Sequence, residues 1–308
     1  MTEHQSSHLT AEIIDEAIRE LHSIHDWLRW SVSQFNKAHI YFGHGTDNPW
    51  DEAALLLAHS LDMARITENL LPLRMTSSEA KVFCDLLLQR IEQRIPAAYL
   101  TQQAFFCGLS FYVDERVLVP RSPIGELIQK RFEPWLVNEP AQILDLCTGS
   151  GCIGIACAYA FPEAYVQLSD ISFDALAVAE ENIEQHGLAE RVFAMQSDLF
   201  ENLQGQVFDL IVSNPPYIAD ADPHLDALTH EPLSALTAGA DGLDDIKFII
   251  MNAANALVPG GWLLIEHGFD QAVAVRSLLQ AAGFEQVSSR TDLAAIERCS
   301  GGQWPQQR

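Results

Sequence analysis

The sequence predicts an α/β fold: a doubly wound, mostly parallel seven-stranded sheet, with a small N-terminal helical domain joined to it by a β-hairpin. Three observations predict it. From residue 140 onward, short apolar runs alternate with helix-period segments, the pattern of strands joined by crossover helices. Residues 10 to 95 instead carry apolar residues at three- and four-residue steps, which is helical. Between them, residues 96 to 120 are rich in aromatic and β-branched residues punctuated by turn formers, as in a hairpin. The expected boundaries are therefore residues 1–95, 96–120 and 121–308.

The helical part opens with Ile13, Ile14, Ala17, Ile18, Leu21 and Ile24 on one face, a pattern that Trp27, Leu28, Val32 and Phe35 continue. A break follows at Gly43-His44-Gly45-Thr46-Asp47-Asn48-Pro49-Trp50, where Asn48-Pro49-Trp50 reads as a cap and turn and His44 as a loop or interface residue. Asp51-Glu52 opens the next helix, since carboxylates suit a helix N-terminus. A further helix starts at Ser77 or Ser78 and runs to about Arg94. In the linker, Phe105, Phe106, Leu109, Phe111, Val113, Val117 and Val119 supply the strand residues, with Gly108 and Asp114-Glu115 as turn signals. Pro120-Arg121-Ser122-Pro123 closes it, and residues 124–136 read as a helix.

In the second half, strands are expected at residues 143–146, 164–168, 192–195, 210–213, 261–266, 284–288 and 294–298. Helices are expected at 152–159, 174–186, 246–257 and 272–282, and the polar tail from Ser300 reads as unpacked.

The chain has 308 residues, 48% of them hydrophobic, enough for two sizeable cores. Eighteen Lys+Arg against 42 Asp+Glu give a net charge of −24. That balance argues against DNA, whose binders neutralise phosphates with Lys and Arg, and favours a basic protein partner. No apolar run approaches the length of a membrane span, so a cytoplasmic protein is expected. Six cysteines without a C-x-x-C pair, and 11 histidines without ligand spacing, predict buried thiols and no metal.

Chemistry concentrates at strand ends. Asn214-Pro215-Pro216-Tyr217 follows the apolar run 208–213, and proline both stops the strand and keeps Asn214 extended. Asn214 then projects over the carboxyl edge of the sheet, where α/β folds bind ligands. A planar amino group could donate one hydrogen bond to the Asn214 side-chain oxygen and one to the Pro215 carbonyl, with Tyr217 against its plane. A plain turn after a strand is the alternative. Upstream, Gly149-Ser150-Gly151 follows a strand ending near Asp145 and precedes a helix, so backbone and ligand can approach closely there. Asp170 closes the next strand, where a ribose diol needs an acceptor, and Gly154 serves either the same turn or helix-on-strand packing. A dinucleotide enzyme would share these features. Asp198 adds an acceptor for an adenine amine, or else caps a turn.

Together, Asp145-Leu146-Cys147-Thr148-Gly149-Ser150-Gly151, Asp170, Asp198-Leu199 and Asn214-Pro215-Pro216-Tyr217 resemble class I S-adenosylmethionine-dependent methyltransferases with a Rossmann-like core, in the branch that modifies amino groups. Val119-Pro120-Arg121, residues 231–236, Asp241-Gly242-Leu243 and Glu266-His267-Gly268 narrow the resemblance to the protein-glutamine methyltransferases. The resemblance implies S-adenosylmethionine as cofactor, held by Asp145, Cys147, Thr148, Gly149, Ser150, Gly151, Asp170, Asp198, Leu199 and Asn214. It places catalysis at Asn214, Pro215, Pro216 and Tyr217. Pro120-Arg121-Ser122-Pro123-Ile124-Gly125-Glu126, with residues 29–32 and 42–50, is similar to the branch that methylates a glutamine of ribosomal protein L-three of the large subunit, in support of ribosome assembly. The rival branch acts on the Gly-Gly-Gln glutamine of peptide release factors, and Gly301-Gly302-Gln303 of this chain mimics that sequence. A DNA adenine or cytosine methyltransferase shares the core motif but needs a basic surface this sequence lacks.

Overall fold

The structure, a computed structural model, describes residues 9–43 and 45–306, so the reading of His44 lies outside the described residues. The chain divides into two compact units, Met1–Gln103 and Ala104–Arg308.

The first unit holds α1 (Ala11–Glu20), α2 (Ile24–Lys37), α3 (Pro49–Ser60), α4 (Ser77–Glu92) and α5 (Ala97–Thr101). Trp27, Phe35, Leu56, Leu57, Phe83 and Leu87 are buried at its centre. The apolar pattern from Ile13 to Phe35 reads as continuous, yet the helix breaks between Leu21 and Ser23. Ser23 accepts from the Asp26 N–H while Asp26 accepts from the Ser23 N–H, a capping box that starts a new helix. Asn48 caps α3 by accepting from Asp51 N–H at 2.9 Å, with Pro49 in the first turn.

The second unit begins with a hairpin, β1 (Ala104–Phe106) and β2 (Leu109–Phe111), turned at Cys107 and Gly108 with φ of 51° and 79°. Positive φ at both turn residues matches the twist of the strands. The hairpin is shorter than the apolar residues of the linker suggest. Val113, Val117 and Val119 are buried without belonging to a strand. There follow α6 (Ile124–Gln129), β3 (Gln142–Leu146), α7 (Cys152–Ala160), β4 (Tyr165–Asp170), α8 (Phe173–Gln185), β5 (Val192–Gln196), β6 (Phe208–Ser213), α9 (Asp244–Ala253), β7 (Leu257–Glu266), α10 (Ala272–Ala281), β8 (Glu285–Thr291) and β9 (Glu297–Gln303).

The seven strands lie in the order β5-β4-β3-β6-β7-β9-β8, all parallel except β9, which runs antiparallel to both neighbours. Strand order reverses beside β3, so the crevice at the carboxyl ends of β3 and β6 is the topological switch point where such sheets bind ligands.

The tail is a correction. Residues 300–302 are buried within β9, between β7 and β8. Glycine permits this approach: a Cβ at Gly301 would lie 2.3 Å from Leu264 Cδ2, and one at Gly302 2.8 Å from Phe284 Cβ. Gly301-Gly302-Gln303 is sheet, not a presented glutamine.

Candidate active site

A cavity of about 370 Å³ opens at that switch point, within the size range of small-ligand sites. Cys147, Thr148, Gly149 and Ser150 line it from the β3–α7 turn, Asp170 from the end of β4, Asp198 and Leu199 from beyond β5, and Asn214 and Pro216 from beyond β6. Asp145, Gly151, Pro215 and Tyr217 do not line it.

Gly149 has φ +56°, and a Cβ there would meet no atom within 4 Å, so the turn leaves open space for a ligand against its backbone. Gly154 differs. A Cβ on it would lie 2.1 Å from Leu168 Cδ2, so its role is the packing of α7 on the sheet. Asp170 accepts from Gly149 N–H at 2.9 Å and from Ser172 N–H at 3.0 Å, which fixes the glycine turn and aims the carboxylate at the cavity. Burial raises its pKa above the usual carboxylate range, against the pull of those N–H donors. Asp245, from the first turn of α9, also lines the cavity; burial and then the nearby Asp198 charge raise its pKa.

Asp145 is fully buried, accepting from Thr148 Oγ1 at 2.5 Å and Gly154 N–H at 2.8 Å through one oxygen, while the other has no partner. Burial pushes its pKa up to about 7, offset in part by those two donors and reinforced by Asp170. A carboxyl more basic folded than unfolded binds more protons in the folded state. Its stability contribution therefore falls as pH rises from about 4 to about 7, by up to about 1.4 kcal/mol per pH unit. Asp145→Asn removes this ionisation, so denaturant unfolding should show the variant gaining on wild type as pH is raised from 5 to 8. A constant difference over that range would contradict the assignment.

Against Ser122 and Asn214 of the cavity wall, Glu266 closes β7 and is 2% exposed. It accepts from Ser122 Oγ at 2.5 Å and Tyr217 OH at 3.0 Å, and Arg298 approaches to 3.6 Å. Arg298 also donates to Tyr217 OH at 3.0 Å. Burial raises the Glu266 pKa, and its donors and Arg298 work against that shift. With its amide turned to satisfy both groups, Asn214 donates to the two Glu266 oxygens at 3.2 Å. Beside the cavity, Arg121 donates a two-pronged pair of hydrogen bonds to the buried Glu231 at 2.8 and 2.6 Å, and Val119 N–H reaches the same carboxylate at 3.0 Å. His267 is fully buried, hydrogen-bonded to Gly268 O and Ser300 Oγ, and burial lowers its pKa.

Sequence reasoning attached no role to Glu266, Ser122, Arg121, Glu231 or Asp245. Asp245 looks like an ordinary first-turn acid, and the others meet only through the tertiary fold. Among the described residues no group of three or more His, Cys, Asp or Glu is placed to hold a metal, and no helix is long and apolar enough to cross a membrane.

A sheet of this order, with a glycine turn after its first strand and Asn-Pro-Pro-Tyr after its fourth, makes the chain a class I methyltransferase, for which S-adenosylmethionine is the methyl donor. Residues 132–283 match the Methyltransferase small domain family and residues 26–101 the PrmC N-terminal domain family. The chain is 47% identical over 263 residues to the ribosomal protein uL3 glutamine methyltransferase of Francisella tularensis subsp. tularensis, covering 83% of each chain. It is 44% identical to the protein of the same name from Neisseria meningitidis serogroup A, covering 88% of this chain and 89% of that one. The chain belongs to this family of glutamine methyltransferases. Solved structures share the fold at low identity. A methyltransferase from Pyrococcus furiosus matches with TM-score 0.50 and 18% identity over 65% of this chain and 90% of that one. The hMettl16 catalytic domain matches with TM-score 0.52 and 17% identity over 79% and 87%.

The residues present fit that donor. Gly149 leaves open space beside its backbone, and the Asp170 and Asp198 carboxylates line the cavity as acceptors of the kind that ribose hydroxyls and an adenine amine would need. Asp170→Ala should weaken S-adenosylmethionine binding by about 10- to 100-fold, the loss of a charged hydrogen-bonding group. Calorimetry reads this directly, and unchanged affinity would contradict the ribose assignment.

Proposed function

We propose that this chain methylates the side-chain amide nitrogen of a glutamine in ribosomal protein uL3. The observation that carries the reading is Asn214 on the cavity wall, where turning its amide nitrogen to the Glu266 carboxylate leaves its oxygen to accept. The relatives named for uL3 support the substrate, and a chain of net charge −24 suits a basic partner.

An amide nitrogen is a weak nucleophile because its lone pair is delocalised into the carbonyl. S-adenosylmethionine supplies an electrophilic methyl group on a sulfonium. What the chain adds is position. Asn214 Oδ1 and the Pro215 carbonyl accept the two N–H groups of the glutamine side chain and hold its nitrogen in line, which lowers the barrier by several kcal/mol. As that nitrogen gains positive charge its N–H groups become stronger donors, so both acceptors bind the transition state better than the substrate, and one of those protons then leaves to water to restore a neutral amide. Pro216 forms part of the wall, and Tyr217 acts from behind it through its hydroxyl on Glu266.

The test offers labelled S-adenosylmethionine with separately purified uL3 and a class I release factor. Label on uL3 alone is the expected result. Label on the release factor alone would keep the chemistry and overturn the substrate.

A further inference from the structure

Asn214 carries an amide with two opposite ends. Its oxygen accepts and its nitrogen donates, and half a turn about χ2 exchanges them. Only one orientation can receive an amino group, so something in the site must suppress the other. We infer that Glu266 is the positioning residue that sets the direction of the Asn214 amide, holding its nitrogen and thereby turning its oxygen to the substrate. The inference rests on the reading of Asn214 as the acceptor for the substrate amide.

The juxtaposition follows from the sheet. Strands β6 and β7 are parallel with Ser213 opposite Ile265, so the next residues, Asn214 and Glu266, emerge side by side at the carboxyl edge. In the orientation that satisfies both groups, the Asn214 nitrogen lies 3.2 Å from each Glu266 oxygen. The reverse orientation would set the amide oxygen against the same two oxygens, facing a buried carboxylate with no proton between them. Inside a protein such an acceptor–acceptor contact is costly.

Glu266 in turn has no freedom to yield. Ser122 Oγ holds one oxygen at 2.5 Å, Tyr217 OH holds the other at 3.0 Å, and Arg298 lies 3.6 Å away. Arg298 is itself tied to the His267 carbonyl at 2.9 Å and to Tyr217 OH at 3.0 Å. Three hydroxyl or amide donors and a guanidinium thus converge on one side chain. A carboxylate accepts from all of them. A glutamine there would present a donor at one of its two ends, and the amide at position 214 could then turn over to meet it.

Two substitutions exploit that symmetry. Glu266→Gln should lower kcat by about 10- to 100-fold, in the range of losing one preorganised group at the reacting centre. The affinity for S-adenosylmethionine should stay within about twofold, because Glu266 follows β7, which β6 separates from β3 with its glycine turn and from β4 with Asp170. Adding Asn214→Asp to Glu266→Gln restores a matched pair: the new amide donates, and the new carboxylate still shows an oxygen to the substrate. The double variant should recover turnover by about tenfold over Glu266→Gln, against the additive loss expected of two independent sites.

Wild-type kcat in Glu266→Gln, or a double variant no faster than that single one, would overturn the inference. Asn214→Ala run alongside separates the two levels. If it keeps full turnover, the acceptor reading itself is wrong; if it is inactive while Glu266→Gln is normal, only the role of Glu266 is wrong. A measurement on the unaltered full-length protein covers variants that fold poorly. Side-chain amide hydrogen exchange by nuclear magnetic resonance should show the Asn214 protons exchanging slowly, and exchange as fast as in a solvent-exposed asparagine would overturn the inference as well.

Discussion

Replacing Asn214 with alanine lowers kcat by about 10²- to 10³-fold, the range seen when one preorganised hydrogen-bonding group is removed from a reacting centre. The S-adenosylmethionine dissociation constant stays within about twofold, since the groups around Gly149 and Asp170 are untouched. The loss falls on kcat because the acceptor strengthens its bond only as charge develops on the substrate nitrogen. Some turnover survives through the Pro215 carbonyl. The fold survives too: Glu266 keeps Ser122, Tyr217 and Arg298, so the structural cost is that of one hydrogen bond, about 1 kcal/mol. Stopped-flow turnover and calorimetry on the same preparation read both quantities, and near-normal kcat would remove Asn214 from the mechanism.

The second large effect lies in the helical unit. Glu52 on α3 and Arg90 on α4 form an ion pair at 2.6 Å with side chains 1% and 3% exposed. Thr46 Oγ1 donates to the second Glu52 oxygen at 2.8 Å, and Arg90 also donates to Tyr41 O at 2.8 Å. The pair ties Tyr41 and Thr46, which precede α3, to the bundle while satisfying both charges. Glu52→Ala leaves a guanidinium buried without its counter-charge, which costs about 3–5 kcal/mol of stability. Denaturant unfolding followed by tryptophan fluorescence reports it, because Trp27, Trp30 and Trp50 all belong to this unit. A loss below about 1 kcal/mol would show the pair to be no better than an exposed one.

Local signals carried most of the fold into view. The glycine turn is visible because Gly149 takes a positive φ of 56° beside open space, and Asn-Pro-Pro-Tyr is visible because proline must end β6. Apolar runs locate β3, β4, β5 and β6 within a residue or two, most sharply at β3 and β6, which are buried on both faces and have few polar residues to blur them. What stayed hidden depends on contacts distant in sequence. Glu266 meets Asn214 only through the β6–β7 register, 52 positions apart along the chain. The part of β9 from Ser300 onward reads as a polar tail because its burial rests on two glycines fitting beneath Leu264 and Phe284. The break before α2 was legible in principle: Ser23 and Asp26 have capping-box spacing, but the apolar period runs straight across them. Tyr217 looks like a face for the substrate, whereas its hydroxyl is drawn behind the wall to Glu266 and Arg298.

Where the methyl group lands is read most directly by tandem mass spectrometry of ribosomal protein uL3 after incubation with the full-length enzyme and S-adenosylmethionine. A single added methyl group on the amide nitrogen of one glutamine side chain, formed about 10²- to 10³-fold more slowly when Asn214→Ala replaces the wild type, is the predicted result. A methyl group on lysine, arginine or the chain terminus instead, or a glutamine methylated equally well without Asn214, would contradict it.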